Sequence, residues 1–147
     1  MLAFIHRLGQ KLPYIIHTPD PYCAPEILVH KEIDLDNPFA ADLWSAGCAI
    51  FHIATGVVPV DDYGINLLRV WSLVLRETLP HAWIKALPQC EQHVFTHRVH
   101  NPNSLTLDGL VAEFYHYPDK QDFADFLRLI LVMRPEKRAN IPTLLRQ

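Results

Sequence analysis

The residues best suited to metal chemistry lie in the segment 90–100, CEQHVFTHRVH. Four candidate ligands follow a C-x2-H-x3-H-x2-H spacing: Cys90, His93, His97 and His100. On a helix, His93 and His97 would share one face, and thiolate and imidazole ligands both suit Zn²⁺. However, nine histidines are spread through the chain, and Arg98 would place a repelling charge beside the site. A zinc site and a polar insert between helices therefore both remain open.

Three other stretches follow one another in an order that suggests a family. They are YCAPE at 22–26, DLWSAGC at 42–48 and RPEKRANIPTLL at 134–145. The first resembles the Ala-Pro-Glu that closes a protein-kinase activation segment. The second resembles the Asp-x-Trp-x-x-Gly motif that opens the buried central helix of the kinase C-terminal lobe, and the third is similar to the Pro-x-x-Arg stretch near the end of that domain. Three motifs with kinase-like gaps are stronger than any one alone.

The longer stretches IHTPDPYCAPE and FLRLILVMRPEKRANIPTLL look most like the SR-protein-kinase branch, a CMGC-type group of serine/threonine kinases, and especially its fungal relatives. The resemblance implies a mainly α fold, the C-terminal lobe of a protein kinase. It covers residues 16–147 as a partial kinase domain and leaves 1–15 as a non-matching segment. We therefore expect a truncated lobe, with no N-lobe and no catalytic loop.

The resemblance assigns structural roles to seven residues: Ala24, Pro25, Glu26, Asp42, Trp44, Gly47 and Arg138. Glu26 is expected to pair with Arg138, because a guanidinium fork binds a carboxylate through two hydrogen bonds. Such a pair would pin the segment 22–26 to the C-terminal helices. The alternative is a solvated surface pair of little value.

The other assigned residues belong to the central helix. In the family, the residue matching Asp42 orders the catalytic loop; alternatively, Asp42 is a plain helix-start carboxylate that favours the helix dipole. Trp44 is expected to pack near Pro25, and Gly47 suits a close backbone approach within the core.

Thr18, Pro19 and Tyr22 lie where the family recognises the residue after the phosphoacceptor. Tyr22 keeps the family spacing to Glu26. Pro19 stands where most kinases have a Thr, and Thr18 is one residue upstream. This segment is therefore either a substrate-side loop or a Pro-rich surface loop.

Phosphoryl transfer needs a phosphate cradle, a Lys on the phosphates, a metal-binding Asp and an Asp near the acceptor hydroxyl. The five glycines form no Gly-x-Gly. HRL at 6–8 has Leu8 where the catalytic Asp belongs, and DFA at 122–124 follows the Ala-Pro-Glu motif instead of preceding it, so Asp122 fits a helix N-cap better. We assign no catalytic, cofactor-binding or metal-binding residue, although the full-length family uses ATP and Mg²⁺.

Hydrophobic periodicity predicts the elements that position these motifs. The expected helices run over 42–55, 65–77 and 122–133, followed by a short last helix with Asn140 as its N-cap. The pattern is weak between 88 and 117, and HNPNS at 100–104 indicates a loop. No alternating strand pattern stands out.

The composition excludes several classes of partner. The chain of 147 residues is 50% hydrophobic, enough for one domain with a sizeable core, and its formal net charge of −3 gives no electrostatic case for nucleic acid or an anionic membrane. The segment 43–60 lacks charged residues and just reaches the length of a membrane span. Its polar residues and the helix stop expected at Gly56 favour a buried helix instead.

Three cysteines, an odd number at wide spacing, make a disulfide framework improbable: Cys23, Cys48 and Cys90. A reducing, intracellular location in the cytoplasm or nucleus is therefore favoured.

Three functions remain. The first is a fragment of a protein serine/threonine kinase, whose family reaction is ATP-dependent phosphorylation of protein Ser/Thr, inactive in this chain and thus pseudokinase-like. The second is a non-catalytic module that binds a protein or peptide, and the third is a small zinc-binding protein. Because the catalytic loop is missing, we also expect uncovered apolar surface around Trp44 and Ile50, and self-association.

Overall fold

The computed structural model describes residues 12–13, 18–30, 32–33, 37–95 and 105–144. Within these ranges the chain is mainly helical, as the sequence predicts. The α-helices are α1 (Pro25–His30), α2 (Phe39–Thr55), α3 (Gly64–Val74), α4 (His81–Ala86), α5 (Gln89–Gln92), α6 (Leu107–Phe114), α7 (Lys120–Ile130) and α8 (Ile141–Leu144). Short 3₁₀ turns cover Asp20–Tyr22, His93–Phe95 and Pro135–Lys137.

Two very short strands were not expected from the sequence. β1 (Leu12–Pro13) and β2 (Glu32–Ile33) pair antiparallel, with Leu12 opposite Ile33. A strand of two residues is too short to show an alternating pattern, which explains why the sequence did not reveal it. The expected boundary between residues 15 and 16 lies outside the described residues.

The helix α2 is the centre of the fold, as predicted for the segment 42–55. It begins at Phe39, three residues before the predicted start, and packs against α7 and the 3₁₀ turn Asp20–Tyr22. It ends at Gly56, which has φ of 78° and whose N–H donates to the carbonyl of His52 at 2.8 Å. This left-handed glycine is the predicted helix stop. No helix among the described residues is long and apolar enough to cross a membrane.

The helix α3 is shorter than predicted, because the backbone turns left-handed just after it. Arg76 has φ of 54°, so the helix ends at Val74 instead of continuing to 77. Glu77 then lies outside the helix, where its carboxylate accepts a hydrogen bond from the N–H of Met133 at 3.3 Å.

The helix α7 also differs from its predicted range of 122–133. It begins at Lys120 with Asp119 as the preceding residue, so the prediction that Asp122 is the N-cap is wrong. Asp122 lies exposed in the first turn, where a carboxylate still favours the helix dipole. The chain leaves the helix after Ile130.

In its described residues, the segment 88–117, where the periodicity is weak, contains two α-helices, α5 and α6. Thr106 caps α6, because its hydroxyl accepts a hydrogen bond from the N–H of Gly109 at 3.0 Å. Leu107 and Val111 bury one face of α6. The stretch HNPNS at 100–104 lies outside the described residues.

The last helix, α8, has the predicted N-cap. The side-chain oxygen of Asn140 accepts a hydrogen bond from the N–H of Thr143 at 3.0 Å. This bond satisfies one of the amide groups that the first turn of a helix leaves without an intrahelical partner.

The apolar core is built around α2, and the expectation of uncovered apolar surface around Trp44 and Ile50 holds at Ile50 but not at Trp44. Trp44 is fully buried, because α3 brings Trp71 against it with the two ring centres 4.8 Å apart. Ile50 lies on another side of α2 and is 36% exposed.

Gly47 lies where α2 packs closely against the end of α7. A Cβ atom at this position would lie 3.0 Å from both Ile130 Cγ2 and Leu131 Cδ2. Both of these side chains are buried and have little room to move.

We predict that Gly47→Ala destabilises the protein by up to about 2 kcal/mol. Alanine should gain about 1 kcal/mol as a better helix former, but overpacking typically costs about 1–3 kcal/mol. Denaturant unfolding measures the difference. Ala112→Gly at an exposed position of α6 is the control and should lose about 1 kcal/mol through helix propensity alone. If Gly47→Ala is stabilising, the close approach does not constrain the core.

Candidate functional site

Glu26 and Arg138 form a buried ion pair across the molecule, although 112 positions separate them. Glu26 lies in the first turn of α1, and Arg138 directly follows the turn Pro135–Lys137. Arg138 Nη1 donates to Glu26 Oε1 and Nη2 donates to Oε2, both at 2.6 Å. Only 1% of the Arg138 side chain and 9% of the Glu26 side chain are exposed. The alternative of a solvated surface pair does not fit this geometry.

The remaining donors of Arg138 are also satisfied, each by a backbone carbonyl. Its Nε donates to Val132 at 2.8 Å, Nη1 donates to Ala40 at 2.8 Å, and Nη2 donates to Met133 at 3.3 Å. All five N–H groups of the guanidinium are thus used. The guanidinium carbon also lies 5.0 Å from the centre of the Trp44 ring, a cation–π distance.

The segment 18–26 is held against α2 and α3 by three further contacts. The hydroxyl of Ser45 donates to the carbonyl of Tyr22 at 2.9 Å, and the Tyr22 hydroxyl lies 2.5 Å from Nδ1 of His52. The N–H of Gly64 donates to Oδ2 of Asp20 at 3.0 Å. These bonds fix the turn Asp20–Tyr22 at both of its ends.

The residues that provide these contacts were not predicted from the sequence. Ser45 and His52 are seven residues apart, so they lie two turns apart on the same face of α2. In the sequence, Ser45 and His52 were among the polar residues that argued against a membrane span at 43–60. Their spacing on an otherwise apolar helix could have revealed a polar contact face, whereas no sequence pattern connects Asp20 with Gly64.

The candidate substrate-side loop lies at the edge of this cluster. Thr18 and Tyr22 are half-buried, whereas Pro19 is exposed. Ala24 and Pro25 are buried where the loop enters α1. The loop therefore has one face against the protein and one face towards solvent, and its role in substrate recognition stays a prediction.

Asp42 is exposed in the first turn of α2, a position that suits a helix-start carboxylate. It takes no part in the Glu26–Arg138 pair. Trp44 and Gly47 lie on the buried side of the same helix, against Trp71 and against Ile130, respectively.

The proposed zinc ligands are only partly described. Cys90 lies in α5 and His93 in the turn after it, whereas His97, His100 and the side chain of Cys90 lie outside the described residues. In the part of the chain that the structure describes, no three metal-ligating side chains come together. The zinc hypothesis stays untested.

Two cysteine side chains are described, and both are buried: Cys23 and Cys48. Burial raises the pKa of the Cys48 thiol above its usual range, because the thiolate would lose its hydration. The thiol of Cys48 therefore stays protonated and belongs to the core rather than to a reactive site.

The chain is similar to parts of several serine/threonine protein kinases. It is 33% identical over 91 residues to CBL-interacting protein kinase 9 of Oryza sativa subsp. japonica, a match that covers 60% of this chain and 18% of that kinase. It is 28% identical over 97 residues to mitogen-activated protein kinase kinase kinase 3 of Arabidopsis thaliana, covering 66% of this chain and 16% of the relative.

A third relative is serine/threonine-protein kinase 36 of Mus musculus, 30% identical over 69 residues, with 47% of this chain and 5% of the relative covered. The chain thus spans less than a fifth of the length of these three relatives. No protein-family model matches the chain. The sequence is kinase-like, and the matches leave the kinase branch open.

We predict that Glu26→Gln or Arg138→Met alone costs about 3–5 kcal/mol of unfolding free energy, because each leaves a buried charge without its partner. The double variant should be little worse than either single variant. A double-mutant cycle measured by denaturant unfolding gives the coupling energy.

The exposed pair of Arg134 and Glu136 is the control for this cycle, since its side chains are 43% and 66% exposed. Removing either of them should cost about 1 kcal/mol or less. Small, additive losses at Glu26 and Arg138 would contradict a buried, coupled pair.

Proposed function

We propose that this chain is part of the C-terminal lobe of a protein serine/threonine kinase and that it does not transfer phosphate by itself. The observation that carries the proposal is the pair of Glu26 and Arg138. The Ala-Pro-Glu motif and the Pro-x-x-Arg motif, recognised separately in the sequence, meet through two hydrogen bonds of 2.6 Å. A chance resemblance of two short motifs gives no reason for such a contact.

The buried central helix supports the same proposal. In the motif that begins at Asp42, Trp44 packs under the Arg138 guanidinium and Gly47 contacts the end of α7. These residues connect the three motifs in one core. The SR-protein-kinase branch rests on the stretches around 16–26 and 126–145 and remains the finer part of the proposal.

The expected lack of phosphoryl transfer follows from the residue types present. No Gly-x-Gly occurs in the 147 residues, and no Asp lies in a setting that matches the kinase metal-binding or catalytic motif. The residues that do match the family hold the end of the activation segment in place. In this proposal they position a substrate-side surface. Phosphoryl transfer in the kinase family depends on phosphate-binding, metal-binding and catalytic motifs that this sequence does not match.

We predict no saturable binding of Mg-ATP to this chain below about 1 mM, because it has no phosphate cradle and no metal-binding carboxylate of the kinase type. Isothermal titration calorimetry measures the binding, with an intact serine/threonine kinase domain titrated under the same conditions as the positive control. A saturable isotherm with a micromolar Kd would overturn the proposed inactivity.

A second candidate function is peptide binding by the segment 18–26. It is favoured by the way this segment is fixed: Ser45 holds the carbonyl of Tyr22 and Gly64 holds the carboxylate of Asp20, while Pro19 faces solvent. A loop that is already ordered loses less conformational entropy when it binds a ligand.

The charges around this loop indicate which class of peptide it would bind. The bond from Gly64 to Asp20 brings the segment 61–64 beside the turn, and this segment carries Asp61 and Asp62. Three carboxylates near one surface loop, in a chain with a net charge of −3, favour a basic peptide.

We predict that an arginine-rich peptide binds more tightly than an acidic peptide of equal length, and that the affinity falls as the salt concentration rises. Asp61→Asn should weaken binding by about 1.4- to 5-fold, the range for one exposed ion pair. Fluorescence anisotropy measures the affinity, and Glu113→Gln on α6 is the matched control. Equal binding of both peptides would contradict this function and leave the kinase-lobe proposal intact.

A further inference from the structure

The helix α2 carries an apolar stripe on its outer side. Five residues recur at the spacing 4-3-4-3 and form what we call the α2 stripe: Phe39, Leu43, Ala46, Ile50 and Ile53. This spacing keeps the side chains on one face of a helix. Phe39 is 63% exposed, Ile50 is 36% exposed and Ile53 is 86% exposed. Large apolar side chains in a contiguous row indicate an interaction surface rather than scattered surface residues.

A cavity of about 300 Å³ opens beside the first end of the α2 stripe. It lies between Phe39 and Leu43 of α2 and the residues that begin α8, including Pro142. Its walls are mainly apolar, and a dry cavity of about half this volume is enough to admit benzene. This cavity, which we call the α2 cavity, therefore has room for a branched aliphatic side chain.

The α2 stripe is complementary to itself. Phe39 and Ile53 are each seven residues from Ala46, or about 10 Å along the helix axis at 1.5 Å per residue. If two copies of α2 pack antiparallel about a twofold axis at Ala46, Ile53 of each copy faces Phe39 of the other. The most exposed side chain of the stripe then lies opposite the α2 cavity, at both ends of the interface.

The charges and sizes on α2 permit this arrangement. Asp42 is the only Asp, Glu, Lys or Arg in α2. It is four residues from Ala46, so the two copies of Asp42 would be separated by about 12 Å along the axis, beyond the Debye length of about 8 Å. Ala46 at the centre is small enough for the two helices to approach closely.

We propose that the α2 stripe binds a second copy of this chain in an antiparallel dimer, with Ile53 of each copy in the α2 cavity of the other. A twofold interface of this kind uses the same residues on both copies and closes on itself. The α2 stripe has five residues, whereas each partner contributes about 20–30 residues to a standard interface. The dimer is therefore weak, with a Kd in the micromolar range or above.

Sedimentation velocity over a wide concentration range tests the proposal on the purified chain. The expected result is a monomer–dimer equilibrium that Ile53→Glu shifts towards monomer by at least about tenfold in Kd, because the carboxylate would have to enter an apolar cavity. Tyr117→Glu, at an exposed aromatic outside the stripe, is the matched control and should leave the Kd unchanged. Circular dichroism confirms that each variant is folded.

A cross-linking experiment tests which residues of the two α2 helices face each other. In a Cys90→Ser background, Ala46→Cys should give a disulfide-linked dimer on mild oxidation, since the two positions meet at the twofold axis. Ile53→Cys should not, because the two positions would be about 21 Å apart along the axis. A monomer at every concentration, a Kd insensitive to Ile53→Glu, growth beyond a dimer, or equal cross-linking at both positions would each overturn the proposal.

Discussion

The guanidinium of Arg138 is the point on which the rest of the structure depends. A charge buried to this extent is tolerated only when every donor finds an acceptor, and here the acceptors come from three separate parts of the chain. Glu26 at the start of α1 supplies two oxygens, Ala40 near the start of α2 supplies one, and Val132 and Met133 supply two more. Moving any of these parts would leave a buried donor or acceptor unpaired, so the group fixes where α1, α2 and the chain after α7 lie relative to one another.

This requirement also explains why α7 ends before its hydrophobic pattern does. Leu131 and Met133 continue the apolar periodicity, so the sequence predicts that they belong to the helix. Both are fully buried in the structure. The carbonyls of Val132 and Met133 accept hydrogen bonds from Arg138, and the carbonyl of Leu129 accepts from the N–H of Ala139 at 2.9 Å. The chain therefore leaves the helix, passes through the turn Pro135–Lys137 and returns along the end of α7. Tertiary hydrogen bonds outweigh local propensity here.

The features that the sequence predicted correctly are those with a local cause. The stop at Gly56 and the cap at Asn140 each depend on one residue and its neighbours. The long apolar run of α2 is sufficient by itself to predict a buried helix. The features that it missed arise elsewhere in the chain. Trp44 is covered by Trp71, α3 ends early because Arg76 is left-handed, and Tyr22 meets His52 across 30 positions. The pairing of Glu26 with Arg138 was expected only through the family resemblance, because nothing in the composition or periodicity connects residues so far apart.

One buried thiol lies on each side of the contact between the segment 18–26 and α2. The rates at which the two thiols are labelled can therefore report how this contact opens. Cys23 directly follows the turn that Ser45 and Gly64 hold, whereas Cys48 lies in the middle of α2 and is fully buried. A thiol reagent reaches Cys23 when the segment lifts from α2. Cys48 lies near both Cys23 and Arg138, so it is labelled at a similar rate if the same opening uncovers both thiols, and more slowly if α2 must also separate from the chain around Arg138. The ratio of the two labelling rates therefore distinguishes a loop that opens alone from a domain that opens as one cooperative unit.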